Sequence, residues 1–180
     1  MNLRNTPQAY GLISKLFHWI TVLMIMLAIP LGISLDRMQG QQAIIVTTMH
    51  QSWGLLIFGF VTLRLIWRLL NPQPEVLGDN PAWMNSAARL VHRLVYGLIL
   101  LQAIAGLVMS QADGDTLMLA RIWKIPAIVP ESETLHRIWH EAHETIWMLL
   151  LALIIGHICA TLHHHFGARD GTLKRMWFGR

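Results

Sequence analysis

Residues 143–157 read HETIWMLLLALIIGH. Two histidines bracket thirteen residues, and Glu144 in the first turn carries the only formal charge among them. The run is too long and too continuously apolar for a barrel strand, which alternates outward-facing apolar and inward-facing polar residues. With its flanks it is long enough, at about 20 residues, to cross a bilayer core of about 30 Å as a helix. A helix satisfies its own backbone in lipid, but an imidazole nitrogen placed there needs a partner from elsewhere. The question is what His143 and His157 bind.

Three other stretches have the same character. The four spans are expected at about 12–35, 44–70, 90–110 and 140–162, joined by segments rich in turn-forming residues such as Asn71-Pro72-Gln73-Pro74. The predicted fold is therefore all-α, an integral membrane four-helix bundle forming a single domain over residues 1–180. Composition agrees: 54% of residues are hydrophobic and 13% charged, against about 25% charged in soluble domains. Cys159 is the single cysteine, so an internal disulfide, a CxxCH haem-attachment motif and a cysteine-ligated zinc or iron–sulfur centre are all excluded. The first apolar stretch lacks a small-residue cleavage site and reads as a retained span rather than a signal peptide.

Lysine and arginine set the orientation. The flanks on the side of the termini hold ten of them against three acids, Glu75, Asp79 and Asp170, for a net +7. The opposite flanks hold Arg37, Arg121, Lys124 and Arg137 against seven acids, for a net −3. Both termini are expected in the cytoplasm. The basic balance needs no nucleic acid to explain it. In the third joint, LMLARIWKIPAIVP is too short to span and reads either as a segment lying flat on the outer surface or as a plain loop.

Fourteen residues are close to four helical turns, so His143 and His157 share one face of the fourth span, about 21 Å apart along its axis. His18 lies near the cytoplasmic start of span one and His50 near the outer start of span two. Antiparallel packing brings His18 to the depth of His157 and His50 to that of His143. Two facing imidazoles across a bundle are the arrangement that holds a b-type haem, one nitrogen from each side of the iron. Small residues are then expected where the macrocycle presses on backbone: Gly54 and Gly32 fall on the faces of His50 and His18, and Gly106 stands fourteen residues after His92.

Plainer readings stand beside this one. Any one membrane histidine can be an interhelical hydrogen-bond partner, and a glycine face can serve helix packing alone. His136, His140 and His143 have a spacing that can chelate a metal at the membrane surface. His140 competes with His143 as the outer ligand, but it is about 100° out of phase with His157, which favours His143. The His163–His165 run also reads as a solvated end of the span.

The assembled pieces resemble the bacterial cytochrome b561 family of small dihaem membrane proteins. They are SKLFHW around His18, MHQSWGL with His50 and Gly54, LRLIWRLLNPQP with Arg64 and Arg68, HRLVY around His92, the HET…GH pair, LHHHF and DGTLKRM. The resemblance covers about residues 10–176. It implies two non-covalent b haems, one held by His18 with His157 and one by His50 with His143, in the bacterial inner membrane. It also implies electron exchange with membrane quinone, ubiquinone being the expected partner, and a periplasmic donor that is superoxide in one kind of member. In related cytochromes the same unit is the membrane anchor and electron-transfer subunit of a hydrogenase or another dehydrogenase.

For the quinone, His164 lies nearly two turns below His157 on the same face and is the expected contact. Arg64 and Arg68, fourteen and eighteen residues after His50, approach the same end and are expected to pair with haem propionates or the quinone head, unless they merely snorkel to the interface. His92 has no evident partner and reads as a neighbour of the inner haem or the quinone.

Overall fold

The computed structural model describes residues 2–75 and 81–178. Residues 76–80, which include Asp79 of the charge balance, lie outside the described residues, as does Arg180. Four long helices run in order: α1 (Leu12–Ser34), α2 (Gly40–Leu70), α3 (Ala82–Ala112) and α4 (Glu133–Leu162). All four are long and apolar enough to cross a membrane. The outward faces carry large exposed apolar side chains, such as Leu23, Met26 and Leu63. That is what lipid requires of a helix surface.

Three helices exceed the stretches expected from hydropathy. α2 starts four residues earlier than expected, α3 eight and α4 seven. Hydropathy marks the part of a helix that suits lipid, whereas the helix continues for as long as its backbone is satisfied. At 31 residues, α3 spans about 46 Å, well beyond a bilayer core of about 30 Å. α4 begins with a cap: Ser132 Oγ accepts the N–H of Leu135 at 3.3 Å, and Glu133 sits in the positive first turn.

Between α3 and α4 the segment read as interfacial or plain loop forms a small antiparallel hairpin, β1 (Met118–Leu119) with β2 (Trp123–Lys124). Its tip places Ala120 and Arg121 in the left-handed region, at φ 50° and 60°, and Pro126 and Pro130 close off any helix beyond it. Ser52 Oγ of α2 holds the hairpin to the bundle, donating to Met118 O and accepting from Ala120 N.

Both termini meet at the other end. Lys15, buried despite its charge, donates to Trp177 O, and Trp19 donates to Met176 O. Asn5 links Pro72 O, Gly11 N and Ser14 Oγ. After α4 the chain makes a π-helical turn, His163–Ala168, passes through a left-handed Arg169 and enters α5 (Thr172–Met176).

The buried core is small and sits at mid-depth: Met24 of α1, Ile57 and Val61 of α2, Ile99 and Ala105 of α3, Ile146 and Leu150 of α4. Close backbone packing joins α1 to α2, α2 to α3, and α3 to α4. α4 does not pack in that way on α1 or α2. Along the face of α4 that carries His143 and His157, the seam with α1 and α2 is therefore crossed by side chains alone, with the buried core at its middle.

Candidate functional site

Imidazoles bridge that seam at two levels. At the hairpin end His50 faces His143, ring centres 6.3 Å apart and planes at 81°. At the terminal end His18 faces His157 at 6.4 Å and 70°. A metal between two imidazoles, at metal–nitrogen distances of about 2 Å, puts the ring centres about 6 Å apart, so both pairs have the spacing that fits an iron between them. The depth matching expected from residue numbers is thus realised in space, and the core residues lie between the two levels.

Each imidazole of the hairpin-end pair is backed by a glycine of a neighbouring helix. A Cβ on Gly106 would stand 3.1 Å from Cε1 of His143, and one on Gly32 would stand 3.0 Å from Cε1 of His50. In a helix a side chain covers the turn before its own Cα, so a glycine uncovers the carbonyl four residues earlier. Gly106 uncovers Gln102, whose carbonyl oxygen accepts from His143 Nδ1 at 3.1 Å. Gly32 uncovers Ala28, whose carbonyl the His50 ring approaches. His50 Nδ1 does not reach acceptable hydrogen-bond geometry with it and, with Gln102 Oε1, is one of two buried side-chain polar atoms left without a partner among the described residues.

The Gln102 contact is of the kind that orients histidines for a metal: it fixes the proton on Nδ1 and leaves Nε2 as the free lone pair. Both orphaned atoms lie on residues of the hairpin-end site, and unpartnered buried polar atoms are rare in folded proteins. Sequence phase put Gly32 on the face of α1 that carries His18, about four turns away; in space it stands against His50, because the end of α1 lies beside the beginning of α2. A Cβ on Gly54 meets nothing within 4 Å, so no group among the described residues explains that glycine.

The terminal-end pair is held differently. Arg64 donates to His18 Nδ1 at 3.0 Å; arginine is never an acceptor, so the His18 proton sits on Nε2 in this arrangement. Arg64 and Arg68 both lie over the ring of Tyr96, at 5.2 and 5.7 Å, within range of a cation–π attraction. Neither forms an ion pair among the described residues, whose two ion pairs are both histidine–aspartate contacts elsewhere. The two arginines and Tyr96 line a small cavity with Tyr10, Ser14 and Phe17. His92, for which the sequence offered no partner, faces His157 at 5.4 Å, making three imidazoles at this level.

Other histidines go elsewhere. His140 faces His136 at 5.8 Å, while His136 Nδ1 contacts Met109 O at 3.0 Å and lies 3.7 Å from Asp113. The spacing-based chelate of His136, His140 and His143 does not assemble, and no group of three potential ligands suited to a metal ion is found among the described residues. His164 turns Nδ1 onto Asp170 Oδ2 at 2.5 Å, and the other oxygen of Asp170 accepts from Thr172 N. Burial raises the Asp170 carboxyl, but the hydrogen bonds of Thr172 and His164 outweigh it and hold the group below its ordinary value. Asp170 escaped the sequence reading because only the π-helical turn and the left-handed Arg169 bring it back to His164.

The prokaryotic cytochrome b561 family model matches residues 9–179 of this chain. Cytochrome b561 homolog 2 of Escherichia coli (strain K12) is 29% identical over 179 residues, covering 98% of this chain and 95% of that protein. Cytochrome b561 homolog 1 of the same organism is 26% identical over 168 residues, covering 88% and 91%.

Proposed function

This chain belongs to the prokaryotic cytochrome b561 family and is a haem-containing electron-transfer protein of the bacterial inner membrane, and on that premise we propose that it holds two b haems and carries electrons from a donor at the hairpin end to membrane ubiquinone at the terminal end. One observation carries the reading: an imidazole pair at each end of the seam, with ring centres 6.3 and 6.4 Å apart.

His50 and His143 would hold one haem, and His18 and His157 the other. Haem held by these imidazoles would supply a one-electron carrier suited to outer-sphere transfer. The protein's own groups do the rest. Gln102 O keeps His143 in the tautomer that presents Nε2. Gly54 leaves α2 backbone open to the macrocycle. Arg64 and Arg68, which pair with no acid among the described residues, suit the haem carboxylates; when Arg64 turns to one of them it releases His18 Nδ1, so the proton can shift there and free Nε2.

The lysine and arginine distribution sets both termini in the cytoplasm, so the donor acts from the periplasm. With superoxide as donor the balance is simple. Two superoxide anions lose one electron each and leave as dioxygen, while one ubiquinone gains two electrons and two protons. His164, held by Asp170 just beyond the span, is the group placed to pass a proton to the quinone head.

Pyridine haemochrome analysis tests the cofactor content, and about two haems per chain are expected. One haem, or none, sinks the dihaem reading. Superoxide generated enzymatically should reduce ubiquinone in the presence of the purified protein and not in its absence. Equal rates in both would remove superoxide as the donor and leave haem binding untouched.

A further inference from the structure

Just past the span of α4, at the terminal end, His165, Phe166, Arg169, Gly171 and Lys174 line a surface cavity of about 220 Å³. We propose that this cavity is a site for a phosphate-bearing anion, occupied by the headgroup of an anionic phospholipid.

Its lining has two cations and an imidazole but no carboxylate. The nearest acid in sequence, Asp170, is turned away, with one oxygen on His164 and the other on Thr172 N. Neither Arg169 nor Lys174 forms an ion pair among the described residues. Among the described residues Arg169 uses only Nε, on Phe166 O, which leaves both terminal nitrogens of its fork for a bidentate anion. Its backbone is held at φ 53°, a conformation that residues with a side chain rarely adopt and that tends to persist where the surroundings over-determine it. The π-helical turn before it adds the same signature, since such turns concentrate at functional sites.

The place of the cavity selects the source of the phosphate. Phe166 stands beside the cations with 69% of its surface exposed, and its ring meets His165 edge-on at 4.7 Å. An exposed aromatic next to an Arg–Lys pair at the end of a membrane helix matches a lipid, with acyl chains on one side and a headgroup on the other. A soluble phosphate would leave Phe166 facing nothing suited to it.

The test releases the holoprotein from detergent micelles doped with equal phosphatidylglycerol and phosphatidylcholine into a native mass spectrometer. Selective retention of one phosphatidylglycerol per chain is expected. Arg169→Gln with Lys174→Gln should lower that retention at least tenfold, with the haem absorbance unchanged. Arg93→Gln, a basic residue at the same end but outside the cavity, should leave it as it was. If the double variant fails to fold, each single change should still lower retention about threefold. Equal retention of the two lipids, or retention undiminished in the variants, overturns the site. Displacement of the lipid by millimolar inorganic phosphate overturns the lipid assignment in favour of a soluble anion.

Discussion

Replacing Gly106 by alanine probes how His143 is aimed. The new Cβ would stand 3.1 Å from Cε1 and 3.4 Å from Nδ1 of that ring, where carbon–carbon contacts prefer about 3.5–4.0 Å. The ring must retreat by about half an ångström. Moving along α3 strains the 3.1 Å bond to Gln102 O. Moving toward His50 closes a 6.3 Å separation that a metal between the rings tolerates only to about 0.2 Å per bond. Losing the supporting contact of a ligand costs about 10–100-fold in metal affinity, which is about 1.4–2.8 kcal/mol. The bundle itself is not weakened by the change, since alanine gains about 0.5–1 kcal/mol over glycine inside a helix. Haem content by pyridine haemochrome, after challenge with an excess of a haem-scavenging apoprotein, should fall from about two toward one per chain. Gly59→Ala, where a Cβ meets nothing within 4 Å on an exposed face of α2, should keep both haems. A Gly106→Ala protein that keeps both haems, with an unchanged low-spin electron paramagnetic resonance signal, would refute the reasoning.

Three further outcomes are expected. His143→Ala should remove one haem and spare the other, whereas His140→Ala should remove neither, because His140 faces His136 and not His50; haem stoichiometry of the two variants decides it. Arg64→Met should lower the midpoint potential of the terminal-end haem by about 60 mV, one factor of ten for a one-electron couple, since a nearby positive charge favours the added electron; spectroelectrochemical titration reads the shift, and an unchanged potential removes Arg64 from that environment. The Asp170 carboxyl titrates below its unfolded value, so its contribution to docking the C-terminal segment is fully present above the ordinary carboxylate range and is lost as pH falls through the lowered value. Limited proteolysis of that segment should therefore rise as the pH drops below about 4, and Asp170→Asn should remove that pH dependence.

What the sequence made legible was whatever depends on one helix at a time. Span number follows from run length, and the shared face of His143 and His157 follows from their fourteen-residue spacing; pairing by depth then needs only antiparallel neighbours. Contacts that depend on which faces meet were not readable. Phase could put Gly32 on the His18 face of α1, but that it backs His50 depends on the α1–α2 contact. His92 meets His157, and Tyr96 underlies both arginines, through the α2–α3–α4 packing alone. The extra lengths of α3 and α4 were hidden because Asn85, Ser86, Arg89 and the HRIWHE turns are good helix but poor lipid-facing sequence. The hairpin was hidden because two successive left-handed residues, Ala120 and Arg121, carry none of the usual glycine or asparagine signal.

The seam gives the last prediction its force. Helices associate in lipid through close backbone approach at small residues, not through the burial of apolar surface from water. α4 has that approach with α3 and lacks it with α1 and α2. Across the seam stand the two imidazole pairs, each about 6.3 Å wide, too far for a direct hydrogen bond between rings lying at such steep angles. A ligand gripped from both sides would therefore add cohesion between α4 and the α1–α2 hairpin beyond that of the mid-depth core. By linkage, haem present at a thousand times its dissociation constant adds about 4 kcal/mol per site. Hydrogen exchange of the haem-free protein in nanodiscs should show its largest loss of protection in the middle turns of α4 and in the facing turns of α1 and α2, with α3 least affected. Protection lost evenly over all four helices would mean that the bundle is held by its helix contacts alone, and that the imidazole pairs only decorate it.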